Sequence, residues 1–249
     1  VFNAIHGAPG EDGFMQAYFN LLKLPHTSCD MYQAALTFNK RDCLNVLKAY
    51  EIPTAISYPL NKKDEVYPKE IINRVGLPCF VKANRSGSSF GVTKVDKIEN
   101  LQAAIDTAFE HDDELIIEAF LEGTEVTVGV LNYKGKVIVL PITEIETSNE
   151  FFDFEAKYQG KSVETTPAFI SETMQSQLEA AAKRVYEVLN CRGVVRIDFI
   201  YNEQKGLPYM LEVNTVPGQS AASVIPQQVK AMGVSLQDFY TSIVEESLN

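Results

Sequence analysis

The sequence contains no tryptophan, only three histidines and only four cysteines. Cys29, Cys43, Cys79 and Cys191 are scattered, and none forms a CxxC pair. That pattern speaks against a disulfide framework and against a zinc site, and it suits a reducing cytoplasm. No apolar run approaches the ~20 residues that a membrane-spanning helix needs. No secretory leader is legible. Basic residues are in deficit: 22 Lys and Arg stand against 33 Asp and Glu, for a net charge of −11. So acidic a chain is not built chiefly to bind nucleic acid or an anionic membrane. It can still take an anionic ligand, because local lysines suffice for a positive pocket.

What is present is ordinary for a globular protein. Hydrophobic residues make up 45% of the 249 and charged residues 22%, which leaves room for a large core and two or more domains. The chain opens Val-Phe-Asn-Ala-Ile-His-Gly with no initiator Met. Val1 to Ile5 is therefore expected to be a buried strand end within a larger fold.

The most informative stretch is CRGVVRIDFIYNEQKGLPYMLEVNTVPG, Cys191 to Gly218. Two strand-like runs flank a polar turn, and each carries charge. Val195, Ile197 and Phe199 alternate with Arg196 and Asp198, and Leu211 and Val213 alternate with Glu212 and Asn214. A hairpin closed by the five residues Asn202 to Gly206 sets even-numbered residues opposite even-numbered ones, barring a bulge. Asp198, Glu212 and Asn214 then share one face, with Arg196 beside them. Three oxygen ligands without His or Cys suit a hard cation such as Mg²⁺, held jointly with phosphates. A half-exposed antiparallel sheet has the same alternation, so the pattern alone leaves both readings open.

Elsewhere, helices are expected after the glycine-rich loop HGAPGEDG (Phe14, Ala17, Tyr18, Leu21, Leu22), after a cap at Asn39, over Tyr67 to Val75, over Ile98 to Phe109, over Ser171 to Asn190, and from Ser235 with Asp238 in a capping box. Strands are expected over 52–60, 79–82, 92–95, 114–119, 125–132 and 136–145. Residues 147–168 show no period; so long a stretch is usually functional or disordered, four aromatics speak against disorder, and a lid and a partly packed connection both remain open. Helix–strand units followed by a strand meander indicate an α+β fold with more than one lobe.

Several residues are candidate ligands. Lys82 ends an apolar strand just before Ser86-Gly87-Ser88-Ser89-Phe90-Gly91, whose small residues let backbone N–H groups approach an anion. A tight turn with an exposed lysine has the same composition. Glu118 and Phe120 stand at a strand end and Glu125 opens the next, placed to meet hydroxyls or an amine, or to be surface-turn residues. Lys157 and Tyr158 lie in the aromatic-rich FFDFEAKY. His6 and Glu11 flank the first glycine-rich loop, and Lys40 opens a helix where a cation is mildly unfavourable. His26 and His111 read as surface residues.

In order and spacing, HGAPGEDG, FNK, FVKANRSGSSFGVTKV, LIIEAFLEGTEVTVGVL, FFDFEAKY, RIDF and LEVNTVPGQSAASVIP together resemble the D-alanine–D-alanine ligases of the ATP-grasp superfamily. The resemblance covers essentially the whole chain. It implies two α+β lobes clasping a nucleotide: residues 40–124 as the central lobe and 125–249 as the C-terminal lobe, behind 1–39 as the remnant of an α/β N-terminal domain. It implies ATP and Mg²⁺ (or Mn²⁺) as cofactors, D-alanine as substrate, a cytoplasmic setting, and a homodimer for the full-length protein. By the same resemblance Lys40, Lys82 and Lys157 meet the ATP phosphates, Glu118 and Phe120 the adenine, and Glu125 the ribose. Asp198, Glu212 and Asn214 hold the metal ions. Arg196 and the Gly218 N–H stabilise the bond-forming step, and Ser88 and Tyr158 place the lid. Ser223 and Val224 hold the carboxylate of the second D-alanine, and His6 and Glu11 line the first-substrate end.

The chain departs from the family pattern at Ala83, where a proline commonly follows the lysine, and at Gln219, where an apolar residue is usual. Tyr158 matches the dipeptide-forming type; one D-lactate-using branch has Phe there. The family's own N-terminal segment precedes the point where this chain starts. The competing expectations are another ATP-grasp carboxylate–amine or D-alanine–D-lactate ligase, and a nucleotide-binding module without turnover.

Overall fold

The structure, a computed structural model, describes residues 1–87, 91–147 and 162–248. Two antiparallel sheets organise them. The smaller has the order β1-β4-β2-β3, from β1 (Ser57–Asn61), β2 (Cys79–Ala83), β3 (Val92–Val95) and β4 (Glu114–Ala119). The larger runs β10-β9-β5-β7-β8, with β6 also on β5. Its strands are β5 (Thr124–Tyr133), β6 (Lys136–Val139), β7 (Thr143–Thr147), β8 (Ser162–Thr165), β9 (Val194–Asn202) and β10 (Leu207–Asn214).

The helices are α1 (Phe14–Leu21), α2 (Met31–Phe38), α3 (Lys40–Ala49), α4 (Pro68–Val75), α5 (Leu101–Ala108), α6 (Glu172–Val188), α7 (Val224–Ala231) and α8 (Leu236–Ser247). Three of their starts carry side-chain caps: Asn39 accepts from Asp42 N, Ser171 from Met174 N, and Ser235 from Asp238 N while its hydroxyl bonds Asp238 Oδ2.

The small sheet is covered by helices on one face and touched by α3 on the other at Ile116 and Ser57; the larger is covered on one face and, on the other, only at one end. Odd-numbered β2 and β4 residues (Cys79, Val81, Leu115, Ile117) pack on α4 and α5 through Ile71, Val75, Leu101 and Ile105. In the larger sheet Val126, Val128, Val195, Ile197 and Phe199 pack on α6 through Met174, Leu178, Ala182 and Val185, and on α3 through Leu44 and Leu47. On its other face α7 and α8 cover only the end around Leu131, Leu140 and Val194. The rest of that face faces the bare side of the small sheet. This is why the charged residues of β9 and β10 can sit on a regular strand.

The hairpin reaches the expected arrangement by a different route. Its turn leaves Asn202 paired with Leu207, so near the turn even residues oppose odd ones. An extra residue, Leu211, then bulges β10. Beyond it Glu212 opposes Asp198 and Asn214 opposes Arg196. Without the bulge, Glu212 would fall on the buried face.

Other expectations are corrected. Val1 to Ile5 forms no strand: Val1, Phe2 and Ile5 are exposed, and the backbone bonds run to Thr27 and to the Asn3 side chain. The strand read over 52–60 is confined to β1, with one bridge from Thr54 to Met210 before it. The run 136–145 is two strands, broken at Leu140-Pro141, where proline has no N–H to give a ladder. Residues 147–168 include β8, paired with β7. The turn Ile98–Asn100 is 3₁₀ before α5. Helices α2 and α7 had no clear signal. The apolar stripe of α1 faces outward, with Phe14 75% and Leu21 82% exposed, because the inward side is taken by Gln16 and Phe19.

His26 is a buried residue, not a surface one. Its ring nitrogens lie 3.2 Å from Ser28 Oγ and 3.1 Å from Asn20 Oδ1, with the Arg192 guanidinium 3.0 Å away. Burial first, and then the Arg192 charge, lower its pKa, against an opposing pull from Asp30. A lowered folded value means the neutral ring is the form the fold accepts. The contribution is therefore intact above the unfolded value of about 6.5 and lost as pH falls through the folded one. Melting temperatures should fall between pH 7 and 5, and His26→Gln should flatten that slope. Gly193 has φ +65°, and a side chain there would put Cβ 2.1 Å from the Thr27 carbonyl oxygen. Gly193→Ala should destabilise by about 2 kcal/mol or more in urea titration.

Candidate active site

The uncovered faces of the two sheets enclose a cavity of about 410 Å³. From the small sheet come Phe80 and Lys82 of β2 and Glu118 of β4; from the large one come Glu125, Asp198, Ile200, Leu211 and Glu212. Lys40 and Phe120 complete the set of expected residues that line it. Leu211 and Glu212 both face the cavity because they are the bulge pair.

At one end Lys82 Nζ lies 2.6 Å from Glu118 Oε2, and Glu118 is 4% exposed. Burial works against the Lys82 charge, but Glu118, with Glu212 and Glu125 farther off, more than offsets it and raises the pKa. Apolar walls of Phe80, Ala55, Leu121 and Ile145 adjoin this pair. The Phe80 and Phe120 rings are stacked at 6.2 Å.

Lys40 is held by Asn84, a buried residue that sequence reasoning passed over. Asn84 O accepts from Lys40 N, its Oδ1 accepts from Arg41 N at 2.9 Å, and its Nδ2 donates to Asn39 Oδ1 and Glu114 Oε2. The turn after β2 thus fixes the start of α3. Lys40 Nζ reaches Ser86 O at 2.5 Å and lies 3.8 Å from Glu212. This resolves the cation at a helix N-terminus: its side chain leaves the helix axis for a carbonyl and a carboxylate.

At the other end Asp198 accepts four hydrogen bonds. Arg196 gives two, at 3.0 Å and 2.9 Å; the Thr127 hydroxyl gives one at 2.5 Å and Asn214 Nδ2 one at 3.2 Å. Register explains the meeting, since Thr127 stands directly opposite Asp198. Thr127 was another residue missed; its only signal was an odd position in EVTVGVL. Burial disfavours the Arg196 charge, yet Asp198, then Glu212 and Glu11, raise its pKa and keep it a permanent cation.

Arg196 and Asn214 reach the cavity through Asp198 rather than lining it. Glu11 lies outside it and ties the first glycine-rich loop to the end of β10: Oε1 accepts from Val216 N and Oε2 from Gly7 N, each at 3.0 Å. His6 Nδ1 lies 3.0 Å from Val216 O and 3.3 Å from Glu11. Ser223 is the N-cap residue of α7, its hydroxyl bonded to Ser220, and Val224 is the first helical residue. Gly218 sits so close that a Cβ there would lie 2.7 Å from Ser223 Oγ. Ser88, Lys157 and Tyr158 lie outside the described residues. Among the described residues no cluster of three or more His, Cys, Asp or Glu side chains could hold a metal ion. Asp198 and Glu212 with the Asn214 amide are a set of two carboxylates and one neutral donor.

A protein-family model described as the C-terminus of D-Ala-D-Ala ligase matches residues 46–245. A D-alanine–D-alanine ligase from Flavobacterium johnsoniae is 60% identical over 248 residues, all of this chain and 76% of that protein. One from Christiangramia forsetii is 55% identical over 249 residues, again 76% of its length. Among solved structures, a D-Ala:D-Ser ligase (VanG) from Enterococcus faecalis superposes with TM-score 0.89 at 35% identity, covering 99% of this chain and 72% of that one. A D-alanine–D-alanine ligase from Bacillus anthracis in complex with ATP superposes with TM-score 0.86 at 28% identity, covering 99% of this chain and 78% of that one. Two antiparallel sheets closing on a Lys82–Glu118 pair and an Arg196–Asp198 pair therefore have an ATP-grasp setting, and the chain belongs to the D-alanine–D-alanine ligase family.

Proposed function

We propose that this protein joins two D-alanines with ATP, through an acyl phosphate, to supply a peptidoglycan precursor. The observation that carries the reading is one cavity with Lys82 and Glu118 at one end and Asp198 and Glu212 at the other, backed by Arg196. Its apolar walls suit a planar base. Glu118 and Glu125 are acceptors for amine and hydroxyl groups, and Lys40 and Lys82 are donors for phosphate oxygens.

The described lining holds six carboxylates (Glu118, Glu125, Glu144, Glu146, Asp198, Glu212) against two lysines. A polyphosphate meets net repulsion there unless cations accompany it. That fits Mg²⁺, or Mn²⁺, held by Asp198, Glu212 and Asn214 together with phosphate oxygens. When bound, the metal neutralises charge on the phosphates.

A carboxylate is a poor electrophile. Transfer of the terminal phosphoryl group to the first D-alanine carboxylate gives an acyl phosphate and ADP. The amine of the second D-alanine then attacks the carbonyl, and phosphate leaves. Arg196 is the cation for the negative charge that develops on the acyl oxygen, with the Gly218 N–H as helper. Asp198 fixes its guanidinium in one orientation through two bonds. Ser223 and the Val224 backbone would hold the second carboxylate, and His6 and Glu11 would line the first-substrate end. Lys157, Ser88 and Tyr158 would close over the phosphates, residues 40–124 and 125–249 would be the clasping lobes, and a cytoplasmic homodimer would be the working state of the full-length protein.

A coupled ADP-release assay tests the reading. ADP should appear only with D-alanine present, EDTA should abolish it, and Mg²⁺ or Mn²⁺ should restore it. D-serine and D-lactate belong in the panel, the former because the VanG relative is a D-Ala:D-Ser ligase; an acceptor preference for either would replace D-alanine in this proposal. ATP binding with no ADP released when D-alanine is present would reduce the protein to a nucleotide-binding module. Arg196→Lys should lower kcat by about 10²-fold while the KM for ATP stays within about threefold.

A further inference from the structure

Helix α7 carries a polar residue where a core residue is due. Gln228 shares the inward face with Ile225 and Val229 and is 0% exposed. Its side chain is fully bonded. Oε1 accepts from Gly129 N at 3.0 Å, and Nε2 donates to Thr127 O at 3.0 Å and to Thr143 Oγ1 at 3.0 Å.

The partners explain the amide. Along one edge β5 pairs with β7 at Val126 and Thr127 and with β6 from Val130 on. Between them the Thr127 carbonyl and Gly129 N–H look out from the strand. A glutamine offers one acceptor and two donors, as a passing peptide strand would, and it completes the ladder there. Gly129 lets the helix come this close: a Cβ would lie 2.5 Å from Gln228 Oε1 and 2.8 Å from Ile225 Cδ1.

Both threonines lead onward. Thr127 gives its carbonyl to Gln228 and its hydroxyl to Asp198. Thr143 Oγ1 lies 2.6 Å from Thr166 Oγ1. Gln228 is thus one residue removed from the carboxylate that orients Arg196, and it sits in the helix that begins at Ser223 and Val224.

We propose that Gln228 is a positioning residue for the acceptor amino acid: it locks α7 to β5 so that Ser223 and Val224 stand in fixed register with Arg196 and Asp198. This rests on the reading that Ser223 and Val224 hold the acceptor carboxylate. An apolar side chain would fill the space but leave three polar partners without their bond and nothing to stop the helix sliding along β5. The consequence is chemical. An acceptor amine held out of line lets water take the acyl phosphate, so phosphate is released without dipeptide.

The test is phosphate released per dipeptide formed, measured on the full chain with saturating ATP. Wild type should give a ratio near one. Gln228→Leu should raise it to about two or more while the KM for ATP changes less than about twofold, a shift of the size that loss of a buried hydrogen bond produces. Thr143→Val, which keeps side-chain shape and removes one of the three partners, should move the ratio the same way by less, and it serves if Gln228→Leu does not fold. Val229→Ala, a packing change on the same helix face, should lower the melting temperature and leave the ratio near one. A ratio near one in both Gln228→Leu and Thr143→Val overturns the positioning role, as does an equal rise in Val229→Ala. A wild-type chain that makes no dipeptide overturns the functional reading itself and this role with it.

Discussion

The structure turns on one buried carboxylate. Asp198 cannot sit 8% exposed between two sheets as a bare charge, and four donors meet it there. They come from β5, β9 and β10, so the pairing of three strands has to be in register for all of them to arrive. The bulge at Leu211 follows from this. It rotates Glu212 and Asn214 to the Asp198 face while leaving Met210 and Phe199 paired inward. A regular hairpin would satisfy its own hydrogen bonds better and would lose the site.

The same logic accounts for the partial helix cover. Burying the even face of β9 under helices along its whole length would trap Arg196 and Asp198 with no room for a ligand. Helices α7 and α8 stop at Val194 and Leu131, and α3 crosses behind the opposite face, in one core with α6 and with Ile116 of β4. The cavity is what remains between two half-covered sheets. Each of its two lysines stands beside a carboxylate, Lys82 with Glu118 and Lys40 beside Glu212, while the remaining acids are in excess. A phosphate arriving at either lysine competes with a carboxylate that is already there, which makes occupancy sensitive to charge brought in with the nucleotide.

Much of this was legible in the chain. Capping residues located α3 and α8, an apolar stripe located α6, and alternation located β9 and β10 with Asp198, Glu212 and Asn214 on one face. The reason assigned to that face was wrong, because turn length was read as regular and a bulge has no signature in a run such as Tyr-Met-Leu-Glu. The helix α1 shows the opposite failure. Its apolar stripe was clear, but periodicity says which residues share a face and not which way the face looks; Gln16, bonded to Gly10 and Ser28, decided that.

The residues that escaped altogether are uncharged polar ones at buried positions: Asn84, Thr127 and Gln228. Composition and period treat each as an ordinary surface residue. Asn84 and Gln228 each supply an amide where regular structure ends, Asn84 where β2 meets a helix start and Gln228 where one strand partner hands over to another, while Thr127, inside β5, supplies a hydroxyl opposite a buried acid. Backbone groups at such discontinuities have to be paired, and a short polar side chain from elsewhere in the chain is the means. Charged residues announce chemistry because they are costly to bury. The neutral ones that fix their geometry become visible only when the broken ladders they complete are seen.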